Sequence, residues 1–362
     1  MTATATASTS ARTTPPAMPE VRETIVSARS LTKSFAVRRT WRELVRSPFG
    51  RSERATVVND VSFDVQQGEF FGLLGANGAG KTTLFRILAA RLLPDAGTAI
   101  VAGTDVVRDP ARTRSLLTPV VTDERSLHWR LSARENLELF AALFGLRGSA
   151  ATARVDYLLR SVELDDTGDK MVGTFSSGMK QRLLIARALL GQPRVLLLDE
   201  PTRSLDPISA RRFRQFLRDE ITGRQGCTVL LATHSAEEAF DLCERVAILD
   251  RGRMVASGRV SELAAQVSDD RFQVAVRADQ AATLRSLLAR EGVECIERGT
   301  DETVGAWARY DLLVPGGADG AAALLSRITR EGIAVSQFQQ MELTLADLIE
   351  RVVQKKRLTL HV

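Results

Sequence analysis

Cysteine is scarce in this 362-residue sequence: Cys227, Cys243 and Cys295 stand far apart and are odd in number. Their spacing suits neither a metal centre nor a disulfide framework, which fits a reducing compartment. Long apolar runs are lacking too. The longest candidates, Leu137 to Leu146 and Leu183 to Leu190, are interrupted by charge or too short to span a bilayer. The chain is therefore not expected to cross a membrane by itself. The first 20 residues, rich in Ala, Thr, Ser and Pro, have no apolar core segment, so no secretory leader is expected. Residues 1–22 read as a disordered tail. A large excess of one charge is also missing. The net charge of +5 is modest for the length, and nucleic acid is not an expected partner. What remains is an ordinary globular composition, 44% hydrophobic and 26% charged, long enough for two or three domains.

Charge is unevenly placed. Arg38, Arg39, Arg42, Arg46, Arg51 and Arg54 lie close together against Glu43 and Glu53, with Trp41, Leu44, Val45 and Phe49 near helical spacing. Two readings of 38–54 stand side by side. One is a solvated basic insertion. The other is an amphipathic segment that contacts anionic lipid.

The most informative stretch is Gly75-Ala76-Asn77-Gly78-Ala79-Gly80-Lys81-Thr82, followed by Thr83. It fits G-x-x-x-x-G-K-[ST], after the apolar run Phe70 to Leu74 and before a helical pattern from Thr83 to Ala90. Strand, loop and helix are the context this phosphate-binding motif requires. Glycines let backbone N–H groups approach phosphates, and the helix N-terminus adds favourable dipole charge. Lys81 is placed to reach β- and γ-phosphates, and the Thr82 hydroxyl to bind Mg²⁺.

Around this loop, Ile25 to Ala28, Val57 to Val65 and Thr98 to Ala102 read as strands. Val195 to Leu198, Val229 to Ala232 and Val246 to Leu249 read as strands buried on both faces. The stretch 122–190 is mainly helical, with Leu137, Phe140, Ala141 and Phe144 at 3.6-residue spacing. Alternating strands and helices indicate an α/β architecture. Asp199 and Glu200 close the Val195 run; the first is placed to hold Mg²⁺, the second to orient or deprotonate water. Ser176-Ser177-Gly178 opens another helical run and makes a second anion site. Asp206 follows in Ser204-Leu205-Asp206-Pro207. His234 stands after an apolar strand, where either a structural role or a γ-phosphate contact is open.

The ordered set resembles the nucleotide-binding domain of ATP-binding cassette (ABC) transporters over roughly residues 24–262. Gly75 to Thr82 looks like Walker A and Val195 to Asp199 like Walker B. Glu200 is similar to the catalytic glutamate and Phe175 to Met179 to the signature. Ser204 to Asp206 is similar to the D-loop and His234 to the switch histidine. Phe35 occupies the place of the aromatic that stacks on adenine. Departures are Ser177 and Met179 in the signature, Ser204 in the D-loop, and Asp123 where the Q-loop glutamine usually stands, with Glu124 an alternative register.

The resemblance implies a P-loop NTPase (RecA-like) core with antiparallel β and helical subdomains over 23–265, using ATP and Mg²⁺. Thr82, Asp199 and Asp123 would be the metal ligands. It implies two such domains paired head to tail, as a homodimer or with a paralogous ATPase, Ser176 and Gly178 of one facing the nucleotide on the other. It further implies separate transmembrane permease subunits and a peripheral place on the cytoplasmic face of the cell membrane. The stretch Asp123 to Ser126 and the appended C-terminal region look like ABC-2 exporters of drugs, lipids or polysaccharides. A soluble, non-transport ABC ATPase is the alternative. Residues 270–362 read as a separate α+β domain with a β-α-β-β-α-β order, the ferredoxin-like pattern, with a last helix at Leu345 to Val353 and no acid, base or metal cluster.

Overall fold

The computed structural model describes residues 22–36, 54–120, 126–224, 226–267, 271–301 and 307–341. The tail, most of the basic stretch 38–54, Asp123, Glu124 and the expected helix at Leu345 to Val353 lie outside these residues.

Two sheets build the described residues up to 267. β1 (Thr24–Ala36), β2 (Arg54–Gln66), β4 (Ala96–Val101) and β5 (Thr104–Asp105) form an antiparallel sheet ordered β2-β1-β4-β5. The second has six strands, ordered β10-β9-β3-β8-β7-β6. Its members are β3 (Phe70–Gly75), β6 (Leu117–Val120), β7 (Val195–Asp199), β8 (Thr228–Thr233), β9 (Arg245–Asp250) and β10 (Arg253–Arg259). All pairings are parallel except that of β10 on β9.

The apolar runs are continuous because each strand feeds two cores in alternation. Phe71, Leu73, Val195, Leu197, Leu230 and Leu249 pack with the antiparallel sheet and with α1 (Lys81–Leu88). Phe70, Leu74, Leu196, Leu198, Val229 and Ile248 face the helices, including α3 (Ala133–Leu143), α4 (Gly148–Ser161) and α5 (Ser177–Leu189). α3 starts at a reciprocal cap: Ser132 Oγ accepts from the Glu135 amide while Glu135 accepts from the Ser132 amide. α2 (Pro110–Leu116) leads into β6.

Several elements differ from the sequence expectation. β1 runs to Ala36 rather than ending at Ala28, with register shifts between Ala28 and Leu31 where Ser30 takes φ 47°. The irregularity hides the strand's alternation. β6, reading Leu-Thr-Pro-Val, was not expected; Pro119 is tolerated because the strand lies at the sheet's edge. β10 was not expected either, since none of its residues is buried and its short apolar run Met254 to Ala256 does not alternate.

Farther along, β11 (Arg271–Arg277), α9 (Ala281–Arg290), β12 (Glu294–Asp301), β13 (Trp307–Leu313), α10 (Gly317–Arg330) and β14 (Val335–Gln340) form a unit with its own core. Its antiparallel sheet is ordered β12-β13-β11-β14, and Tyr310, Leu284, Leu288 and Ile328 are buried in it. β13 begins at Trp307, four residues before the expected start at Asp311.

Candidate active site

The loop after β3 turns into α1 with Gly78 at φ 82° and Gly80 at φ 105°. Glycine is needed at Gly80 twice over. The left-handed angle disfavours any side chain, and a Cβ would stand 2.7 Å from the Val57 carbonyl oxygen. The turn after β9 closes on the same place: the Gly252 amide donates to Ala79 O at 3.1 Å, and the Asn59 amide donates to Gly252 O at 2.8 Å.

Lys81 bends back over the loop. Its Nζ donates to Gly75 O at 2.6 Å and Ala76 O at 3.2 Å, leaving the third ammonium hydrogen for an anion. Burial pushes the lysine below its ordinary value, and the carboxylates of Glu200 and Asp199 pull it back up. Thr82 Oγ1 donates to Asp199 Oδ2 at 2.8 Å. Burial raises Asp199, opposed first by that hydroxyl. These two hard oxygens border a cavity of about 320 Å³ whose wall includes Asn77, Gly78, Gly80, Lys81, Thr83 and Glu200. The donor set fits Mg²⁺, which typically takes one or two protein oxygens beside substrate phosphates.

Glu200 follows β7 in a left-handed conformation, φ 49°. That costs an L side chain roughly 1–2 kcal/mol and persists only where surrounding structure holds it. One restraint is its amide, which donates to Ala232 O at 2.8 Å. Its Oε1 meets His234 Nδ1 at 3.0 Å. An ionised carboxylate only accepts, so Nδ1 is the donor of this pair. Its Oε2 is buried, lies 3.4 Å from Arg203 Nη1 and makes no hydrogen bond. A buried carboxylate oxygen with an unused lone pair beside the phosphate cavity is placed to accept from water.

Ser176 caps α5, accepting from the Met179 amide at 3.3 Å. Asp206 caps α6 (Pro207–Phe216) through the Ile208 and Ser209 amides at 3.1 and 3.0 Å. Those bonds, with the Ser209 hydroxyl first, hold its carboxyl below the ordinary range. Phe35 is 40% exposed, with the Lys33 ammonium 5.8 Å from its ring centre. The loop after β3 and the ends of β7 and β8 thus bring Lys81, Thr82, Asp199, Glu200 and His234 together. Of the expected residues, Gly75, His234, Ser176, Ser177, Gly178, Asp206 and Phe35 are not among those lining the cavity; His234 reaches it through Glu200. Val57 and Arg203 do line it and were missed. Arg203 had one available signal, its place three residues after Glu200.

Residues 58–203 match the family model described as "ABC transporter". The Daunorubicin resistance ATP-binding protein DrrA3 of Streptomyces coeruleorubidus is 43% identical over 237 residues, covering 65% of this chain and 74% of that protein. The Doxorubicin resistance ATP-binding protein DrrA of Mycobacterium tuberculosis is 42% identical over 236 residues, covering 64% and 69%. Among solved structures, cbiO1 from Clostridium perfringens aligns at TM-score 0.58 and 23% identity. It covers 74% of this chain and 95% of its own, a likeness in fold.

Proposed function

This chain belongs to the ABC transporter family, and from that premise we propose that Glu200 drives ATP hydrolysis at a site completed by a second copy of the chain. It is an ABC ATPase, an ATP-binding subunit homologous to drug-resistance exporter ATPases. ATPases of this family pair with one another and act with transmembrane permease subunits. No helix among the described residues is long and apolar enough to cross a membrane.

The observation that carries the proposal is Glu200's spare oxygen beside the phosphate cavity. The loop amides from Gly78 to Thr83 and the Lys81 ammonium would bind the β- and γ-phosphates. Mg²⁺ held by Thr82 and Asp199 would neutralise charge on those phosphates. Glu200 Oε2 would take a proton from the attacking water, and His234 would hold the carboxylate in register. Phe35 would stack on adenine. Asp123 as a further metal ligand belongs to the same reading and lies outside the described residues.

Gly178 supports the second copy. It opens α5, yet a Cβ there would find only Ser176 Oγ, at 4.0 Å. Among the described residues nothing else approaches that position, which leaves room for a group that docks on it. The γ-phosphate on a partner, also facing Ser176 and Ser177, would fill that room, and Asp206 would belong to the same junction.

The division into a nucleotide-binding unit, 23–265, and an accessory C-terminal unit, 270–362, is part of this reading. So are an ABC-2 exporter with a drug-like cargo, in line with the names of its relatives, and a peripheral place on the cytoplasmic membrane face. Phosphate release from ATP tests the core of it. The purified chain should turn over, and Glu200→Gln should lose on the order of 10²–10⁴-fold in rate while still binding ATP. Equal rates would remove Glu200 from the role of base.

A further inference from the structure

α7 (Ala236–Leu242) begins just after His234, and its Glu238 is 2% exposed. Nothing in the hydrolytic mechanism above uses this residue. A buried carboxylate is costly unless hydrogen bonds compensate it, so its partners show what the fold gains from it.

Those partners converge on the site from two directions. Thr202 Oγ1, two residues after Glu200, donates to Glu238 Oε1 at 2.7 Å. The buried Thr233 hydroxyl also acts on the same carboxylate, drawing its pKa down. Thr233 Oγ1 also accepts from the Ser235 amide at 3.0 Å, and Ser235 Oγ accepts from the Glu238 amide at 3.1 Å. Both chain neighbours of His234 are therefore held in one chain of hydrogen bonds that ends on the loop carrying Glu200. The strained backbone of Glu200 needs such restraint.

We propose that Glu238 is a positioning residue for hydrolysis: its carboxylate ties the Thr202 loop to the Thr233–Ser235 turn and so sets the Glu200–His234 pair at hydrogen-bond distance. The proposal rests on the assignment of Glu200 and His234 to the reaction. Glu238 touches neither nucleotide nor water. It acts through the two groups that do.

A positioning role separates kcat from KM. The phosphate loop and Lys81 do not depend on this network, so ATP binding persists while the chemical step suffers. Glu238→Ala leaves the Thr202 hydroxyl without its acceptor and frees both loops. Sub-ångström to ångström misplacement of reacting groups lowers rates on the order of 10- to 100-fold. In steady-state phosphate release by the full chain, Glu238→Ala is expected to lose kcat by that factor with KM for ATP within about twofold of wild type. Glu238→Gln, which keeps an acceptor oxygen for Thr202, is expected to recover a large part of the loss.

Thr202→Val removes a single hydroxyl of similar shape and leaves α7 unaltered. It provides the same kcat-selective loss should Glu238→Ala not fold. Wild-type and Glu200→Gln proteins run alongside. If the wild type turns over and Glu200→Gln does not, the hydrolytic reading stands. Unchanged kcat in folded Glu238→Ala or in Thr202→Val then overturns the positioning role alone. Equal rates for wild type and Glu200→Gln would overturn the reading beneath it, and the proposal with it.

Discussion

Glu200 and Glu238 are carboxylates on either side of the His234 turn, and their surroundings divide their duties. Glu200 keeps one oxygen without a hydrogen bond beside the phosphate cavity, whereas Glu238 is sealed in among threonines. Burial pushes Glu238 above the ordinary glutamate value, against the threonine hydroxyls and Arg214, which pull it down. The sign for stability follows from linkage. A carboxyl raised in the folded state favours folding most when protonated, below its unfolded value. That contribution disappears as pH rises through the folded value. Once ionised, the buried Glu238 therefore weighs against the fold. Glu238→Gln carries no such charge and should melt higher than wild type at pH 8, the gap narrowing toward pH 4.5. Thermal unfolding across that range checks it, and a gap of constant or opposite sign would contradict the burial argument.

Residues that belong to a local spacing pattern were legible in the chain: Lys81 and Thr82 from the glycine loop, Asp199 and Glu200 from the end of an apolar run. Val57 and Glu238 were not, and Arg203 offered only its place three residues after Glu200. Their roles arise only when β2, β7 and α7 meet in space, and no local pattern records that meeting.

Among the elements, the phosphate loop depends on a turn that never borders the cavity. Gly252, between β9 and β10, stacks its backbone between Ala79 and Asn59. A Cβ there would lie 2.4 Å from Val57 O, at φ 78°. Since Val57 O also abuts Gly80, crowding at one glycine moves the other. Gly252→Ala is expected to lose on the order of 1–3 kcal/mol of stability and to weaken ATP binding without touching nucleotide. Calorimetric melting and nucleotide titration measure both, and a variant unchanged in either would contradict the clamp. Elements with strong apolar alternation, such as β3, β7 and β8, could be read from the chain because both faces bury side chains. β1 could not be read to its full length, because its bulge breaks the period of two. β6 and β10 lie at the sheet's two edges, where polar residues and proline carry no penalty and so leave no signal.

For the whole molecule, the two anion-binding helix starts pose the deciding question. α1 and α5 each open with small residues suited to phosphate. α1 borders the described cavity, whereas at Gly178, near the start of α5, an added Cβ would find among the described residues only Ser176 Oγ, at 4.0 Å. In the proposed reading, half a site on each of two surfaces would be completed by a copy turned head to tail, and a triphosphate caught between them would hold the pair until it is cleaved. The central claim is tested most directly by sedimentation of Glu200→Gln with ATP and Mg²⁺. The account predicts a nucleotide-dependent species of twice the 39.6 kDa chain mass, one ATP per chain, that vanishes with ADP. A species that binds ATP stoichiometrically yet sediments as a single chain at every concentration would contradict it.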